Sequence, residues 1–184
     1  FLYIAALFLF VSCGQQNKQS KKTDPTTTDS TEVVTTTDKS VRFLWRDSSA
    51  AIVINQEFCK TITDSEKAAL GYVATFIGNE CEWDGMPTKD ISNLKCVMLT
   101  ALNLGYQCSE KHLGFLQQWF KNDTIVLKEL ASCPTTPNTS TIQDTFEEIV
   151  LTTKGNAIAV FFKANGINLR EQKEWSWSET DHFK

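Results

Sequence analysis

Histidine is nearly missing from this chain: His112 and His182 are the only two among 184 residues. Hydrolytic triads and most catalytic metal sites need His beside a nucleophile, a carboxylate or another His. His112 has Glu110 and Lys111 as close neighbours and no His one turn away, and His182 stands near the last position. Both therefore read as solvated or structural. Missing too are a C-x-x-C pair, a G-x-S-x-G turn, a Gly-rich phosphate loop and an H-E-x-x-H helix. These absences disfavour a close-spaced metal site, thiol redox chemistry and motif-borne hydrolysis, so no catalytic residue, metal or cofactor is expected. Clustered positive charge is lacking as well. The net charge is −4 and the one basic run, Lys18 to Lys22, is short, which argues against a nucleic-acid partner. The longest apolar run, Phe1 to Val11, has 11 residues. A spanning helix needs roughly 20.

That run has the length of the apolar region of a signal peptide. It opens the chain without a Met or the usual basic segment, which predicts that a few leader residues precede Phe1. Phe10-Val11-Ser12-Cys13-Gly14 follows. It resembles the lipobox of bacterial lipoproteins, in which the Cys becomes the first mature residue and receives lipid. Phe10 takes the place usually held by Leu. The resemblance implies residues 1–12 as a lipoprotein signal, lipidation at Cys13, and an exported protein held at a membrane through its lipid anchor. Each buried methylene adds roughly 0.8 kcal/mol to anchoring, and one acyl chain holds only marginally. The several chains of the family would make the anchor stable. Asp29-Ser30-Thr31 is similar to the O-glycosylation pattern of Bacteroidota. No acidic stretch of the kind that directs surface export in that phylum follows Cys13, so the expected address is the periplasmic face of the outer membrane.

Residues 14–40 contain eight Thr in 27 positions, no aromatic residue, and only Val33 and Val34 as apolar side chains. Such a stretch buries too little surface to offset its ordering entropy. It reads, with Cys13, as a flexible tether over 13–40, with a span on the order of 30 Å. The 144 residues of 41–184 are enough for one core.

The first half of that domain reads as helices. Thr63-Asp64-Ser65-Glu66 fits a capping box, and Ala69, Leu70, Val73, Phe76 and Ile77 recur at helical spacing until Gly78. A second helix is expected from Asn93 to Leu104, ended by Gly105, and a third from Glu110 to Phe120 behind Ser109. The second half reads as strands: Ile125 to Leu130, Thr145 to Thr153, Ala157 to Ala164, and a final segment from Asn168 to Phe183. Lys154-Gly155-Asn156 marks one turn and Asn165-Gly166 a hairpin. Ala51 to Ile54 adds a short strand before the helices. The expectation is an α+β fold, with about three helices followed by an antiparallel meander of about four strands, the helices packed on one sheet face.

Six cysteines at wide spacing in an exported chain point to disulfides. Cys59 and Cys81 flank the first helix and cannot reach each other along it. Cys96 and Cys108 flank most of the second. If the two helices form an antiparallel hairpin, Cys81 meets Cys96 at one end and Cys59 meets Cys108 at the other. Cys133 is left unpaired, and a buried inert thiol is the expectation there.

Glu80-Cys81-Glu82-Trp83-Asp84-Gly85 begins like a calcium loop, but the closing bidentate position falls on Ile91, so the calcium reading fails. Asp144, Glu147 and Glu148 invite an acid/base reading, yet adjacent strand positions point to opposite faces. Trp175 and Trp177 share one strand face. Aromatic platforms bind sugars by stacking, as in carbohydrate-binding modules, although Trp at period two beside Ile158, Val160 and Phe162 also suits a core face. These two Trp are the possible binding face. Together these features favour a non-enzymatic envelope module that binds a protein, peptide or glycan. The alternatives are an envelope hydrolase without a recognisable motif and a purely structural lipoprotein.

Overall fold

A computed structural model describes residues 38–81, 93–133 and 140–184. Cys13, the lipobox, most of the tether and most of the calcium-like stretch lie outside the described residues. The described domain is α+β, with five helices and one five-stranded antiparallel sheet. In chain order these are β1 (Lys39–Arg46), β2 (Ile52–Ile54), α1 (Gln56–Thr61), α2 (Asp64–Phe76), α3 (Leu94–Ala101), α4 (Glu110–Trp119), α5 (Thr124–Ser132), β3 (Ile142–Lys154), β4 (Ala157–Asn168) and β5 (Lys173–Phe183). The sheet order is β2-β1-β3-β4-β5. No described helix is long and apolar enough to cross a membrane.

The helices lie on one sheet face. Along β4, Ile158, Val160, Phe162 and Ala164 are buried against Leu70, Val73 and Ala74 of α2 and Leu99 of α3. Each large side chain buried here stabilises the fold by about 1.5–3 kcal/mol. A smaller cluster, Ala68, Leu116, Phe120, Val126 and Leu130, joins α2 to α4 and α5. At Gly71 a Cβ would come within 2.6 Å of Leu104 Cδ1, so this glycine lets α2 approach its neighbours.

The Thr63 capping box forms: its hydroxyl accepts from Glu66 N, and Glu66 accepts from Thr63 N at 3.0 Å. Glu66 is buried, and burial opposes its charge. The Thr63 amide and hydroxyl, Lys39 and Thr153 outweigh that cost and hold its pKa below the ordinary carboxylate value.

Four features depart from the sequence reading. First, α5 occupies the segment expected as a strand from Ile125 to Leu130. The Asp123 carboxylate accepts from both Ile125 N and Val126 N at 3.1 Å, which caps a helix. Val126 and Leu130, four apart, are buried, whereas Ile125 is 70% exposed. Second, an eight-residue strand, β1, sits inside the sheet next to β3, so the strands do not form a simple meander after the helices. It starts at Lys39, and Lys39 and Ser40, expected in the tether, pair with Thr153 and Thr152.

Third, Asn165-Gly166 lies within β4 and makes no turn. The β4–β5 connection comes later, where the Asn168 side chain accepts from Arg170 N at 3.1 Å and Glu171 N at 3.2 Å. Fourth, the disulfides are Cys81–Cys96, with Cα atoms 5.1 Å apart, and Cys108–Cys133, 5.9 Å apart. The expected pair Cys59–Cys108 does not form. Among the described residues Cys59 is the free thiol; it lies in α1, packed against the main core cluster.

Candidate functional site: the cleft at Trp175

A cleft lies where β3, β4 and β5 meet the segments after α2 and before α3. Gly166 on β4 faces Trp175 on β5 across the ladder. A Cβ on Gly166 would lie 2.3–2.5 Å from three atoms of the indole, so the ring rests directly on the bare backbone. This is why a glycine stands inside a strand. Seated there, Trp175 keeps 39% of its surface exposed and forms one wall of a space of about 630 Å³. Opposite are Ile77, Gly78 and Asn79, which follow α2, and Asn93, Leu94 and Lys95 at the start of α3. Gln143 to Phe146 of β3 run along the floor.

The polar groups of the cleft are mostly anchored. Asn93 Oδ1 caps α3 by accepting from Cys96 N at 3.2 Å, and its Nδ2 donates to Glu80 O at 2.7 Å. The Asp144 carboxylate accepts from the amide of Gly78, whose φ of +94° marks a left-handed turn. Lys95 is buried, and its amine donates to Thr75 O at 3.0 Å. Burial pushes its pKa down to about 8, against the opposing pull of Asp144 and Glu80. Asn79 Oδ1 differs: it is shielded from solvent and meets no donor among the described residues. A buried acceptor without a partner costs about 1–3 kcal/mol.

The structure separates the residues singled out in the sequence. Trp175 and Trp177 do share a face, but Trp177 packs against the core while Trp175 opens onto the cleft. Asp144 enters the cleft. Glu147 and Glu148 do not: Glu147 pairs with Arg46 at 2.6 Å, and Glu148 with Arg42 at 2.6 Å and Lys163 at 3.4 Å. Glu147 is an extra residue between the pairs Phe146–Ala164 and Glu148–Lys163, so simple alternation fails at this point.

His112 is fully buried: Nδ1 accepts from Cys108 N at 3.2 Å, and Nε2 lies 3.1 Å from Thr75 Oγ1. Thr75 Oγ1 itself donates to Gly71 O at 2.8 Å, so the Nε2–H tautomer satisfies every group in the chain. His182 lies on β5, away from His112's buried network.

Sequence reasoning missed Asn79, Asn93, Lys95 and Gly166. A lysine inside the apolar run of α3 was the available signal, and the Asn-Gly pair was the misleading one. No family model matches the chain, and no curated protein or solved structure shows significant similarity to it.

Proposed function

We propose that this chain is an exported lipoprotein, anchored through Cys13 and held off the periplasmic face of the outer membrane by residues 14–40. Its domain is a non-enzymatic binding module that takes a glycan in the Trp175 cleft. The carrying observation is a part-exposed indole, seated on Gly166, beside the amide-bearing residues Asn79, Asn93, Gln143 and Asn165. A pyranose offers the complementary surface: an apolar C–H face for the indole and hydroxyls for the amides. The described part of the cleft contains no His; of its two carboxylates, Asp144 is engaged by a backbone amide and Glu174 is exposed at the start of β5, which favours binding over bond cleavage.

Titration of the purified chain with a panel of neutral oligosaccharides, followed by tryptophan fluorescence, tests the module. At least one should shift the emission, and Trp175→Ala should abolish that shift while leaving the thermal midpoint within a few degrees. A silent panel, or binding that survives Trp175→Ala, refutes the cleft. Cys13→Ala, expressed with a labelled fatty acid, tests the anchor. Equal labelling of wild type and variant would refute it.

A further inference from the structure

We infer that a second groove, at the other end of β5, docks a lysine- or arginine-bearing peptide segment. Trp175 and Phe183 both lie on β5, eight residues apart, roughly 26 Å at ~3.3 Å per residue. The second groove, about 660 Å³, is therefore separate from the glycan cleft.

Its floor is aromatic. The Tyr72 ring meets Phe120 at 5.8 Å and Phe183 at 5.6 Å, and Phe120 lies 5.6 Å from Phe183. Trp119, 47% exposed, and Ile125, 70% exposed, stand at its rim.

The charge around this floor is net negative, although the Asp123 carboxylate also caps α5 and His182 partly offsets Asp181. Asp123 and Asp181 line the groove, Glu129 accepts the Tyr72 hydroxyl at its side, and Glu179 is two residues from Asp181 on β5. Among the described residues, none of these four carboxylates has a cation within ion-pair distance, although Lys184 and His182 also line the groove. Burial, and then Glu179 and Glu129, raise the pKa of Asp181, as expected for a carboxylate short of positive charge.

The exposed Trp119, the half-buried Tyr72 and Phe183, and an Asp181 with no cation within ion-pair distance among the described residues match one side-chain chemistry: an alkyl stem that lies on the rings and a cationic head that reaches Asp181. Cation–π and charge-assisted contacts add to each other there. An anionic ligand meets repulsion, and a neutral one leaves the carboxylates unpaired.

Calorimetric titration of the full chain with tetralysine, and with tetralysine acetylated on every side chain, tests the inference. Tetralysine should bind, more weakly as salt rises, and the acetylated peptide should not. Asp181→Asn should weaken binding about tenfold, Glu179→Gln should weaken it less, and Trp175→Ala should leave it unchanged. Both carboxylate variants relieve like-charge repulsion, so their thermal midpoints should hold or rise. No heat with tetralysine, equal binding of both peptides, or undiminished binding by Asp181→Asn would overturn the assignment. Loss of binding in Trp175→Ala alone would move the site to the other cleft.

Discussion

His112 is where the scarcest residue of the chain meets its most constrained surroundings. It ties the backbone before α4 to Thr75 in α2 through Cys108 N, the imidazole and the Thr75 hydroxyl. A Phe would fill the volume but leave Cys108 N without its acceptor. His112→Phe should therefore cost about 2–3 kcal/mol in urea unfolding, in line with one buried donor left unpaired and a second bond lost. The sequence made a structural role for this His legible, because no partner for chemistry stood beside it. It hid the hydrogen-bond chain, whose members are 4 and 37 residues away.

The Gly166–Trp175 contact supports a different prediction at the same scale. Gly166→Ala forces the indole off its seat and should cost about 1–3 kcal/mol. In a Trp175→Ala background the same change meets open space and should cost little. A double-mutant cycle on thermal stability would show coupling above about 0.5 kcal/mol. Additive effects would mean that the ring does not rest on Gly166.

At the level of elements, the sequence was most legible where a local device sets the boundary. Ser109 caps α4, which starts at Glu110 as expected and ends one residue early, while Asn93, expected as the first residue of its helix, caps α3, which ends three residues early. It was least legible where two periodicities fit the same residues. Ile-Val-Leu-Lys-Glu-Leu alternates well enough for a strand, and the Asp123 cap decides for α5. That helix also decides the disulfides. It carries Cys133, at its C-terminal end with φ of 33°, back to Cys108 before α4. The antiparallel hairpin expected of the first two helices assigned Cys108 to Cys59, and Cys133 was left over.

The bond closes a separation of 25 residues, for which chain-entropy reasoning gives roughly 3 kcal/mol. Cys133→Ser should lose stability of that order. Cys59→Ser should change it far less, since the Cys59 thiol is half-buried, unbonded and pushed up in pKa by burial. Peptide mass mapping should find Cys108 joined to Cys133. Recovery of Cys59 joined to Cys108 would reverse this account.

Across the domain, helices cover one sheet face, and the two candidate grooves lie toward opposite ends of β5, one lined by Trp175 and the other by Phe183. The sequence showed an α+β domain with a Trp-bearing last strand. It could not show β1 joining the sheet beside β3 or the late turn after Asn168, which set the register of β4 with β5 and so the place of Trp175. The same helical cover makes folding sensitive to acid. Burial holds the pKa of His112 down to about 4, against 6.5 for an exposed imidazole, with Lys95 adding to the depression.

The unfolded chain therefore takes up this proton before the folded one. The contribution of this group is complete above pH 6.5 and is lost as the pH drops through the window from 6.5 to 4. At about 1.4 kcal/mol per pH unit, the loss amounts to about 3 kcal/mol across that window. Glu66, whose pKa is lowered, adds a further loss in the same direction once the pH passes below the ordinary carboxylate value. Asp181, whose pKa is raised, works the other way, because protonation relieves its repulsion from Glu179 and Glu129. Urea midpoints measured at pH 7.5, 6 and 5 should fall in that order for the wild type. His112→Phe should start lower and stay nearly flat across the three. A parallel decline in the variant would place the acid sensitivity elsewhere in the fold.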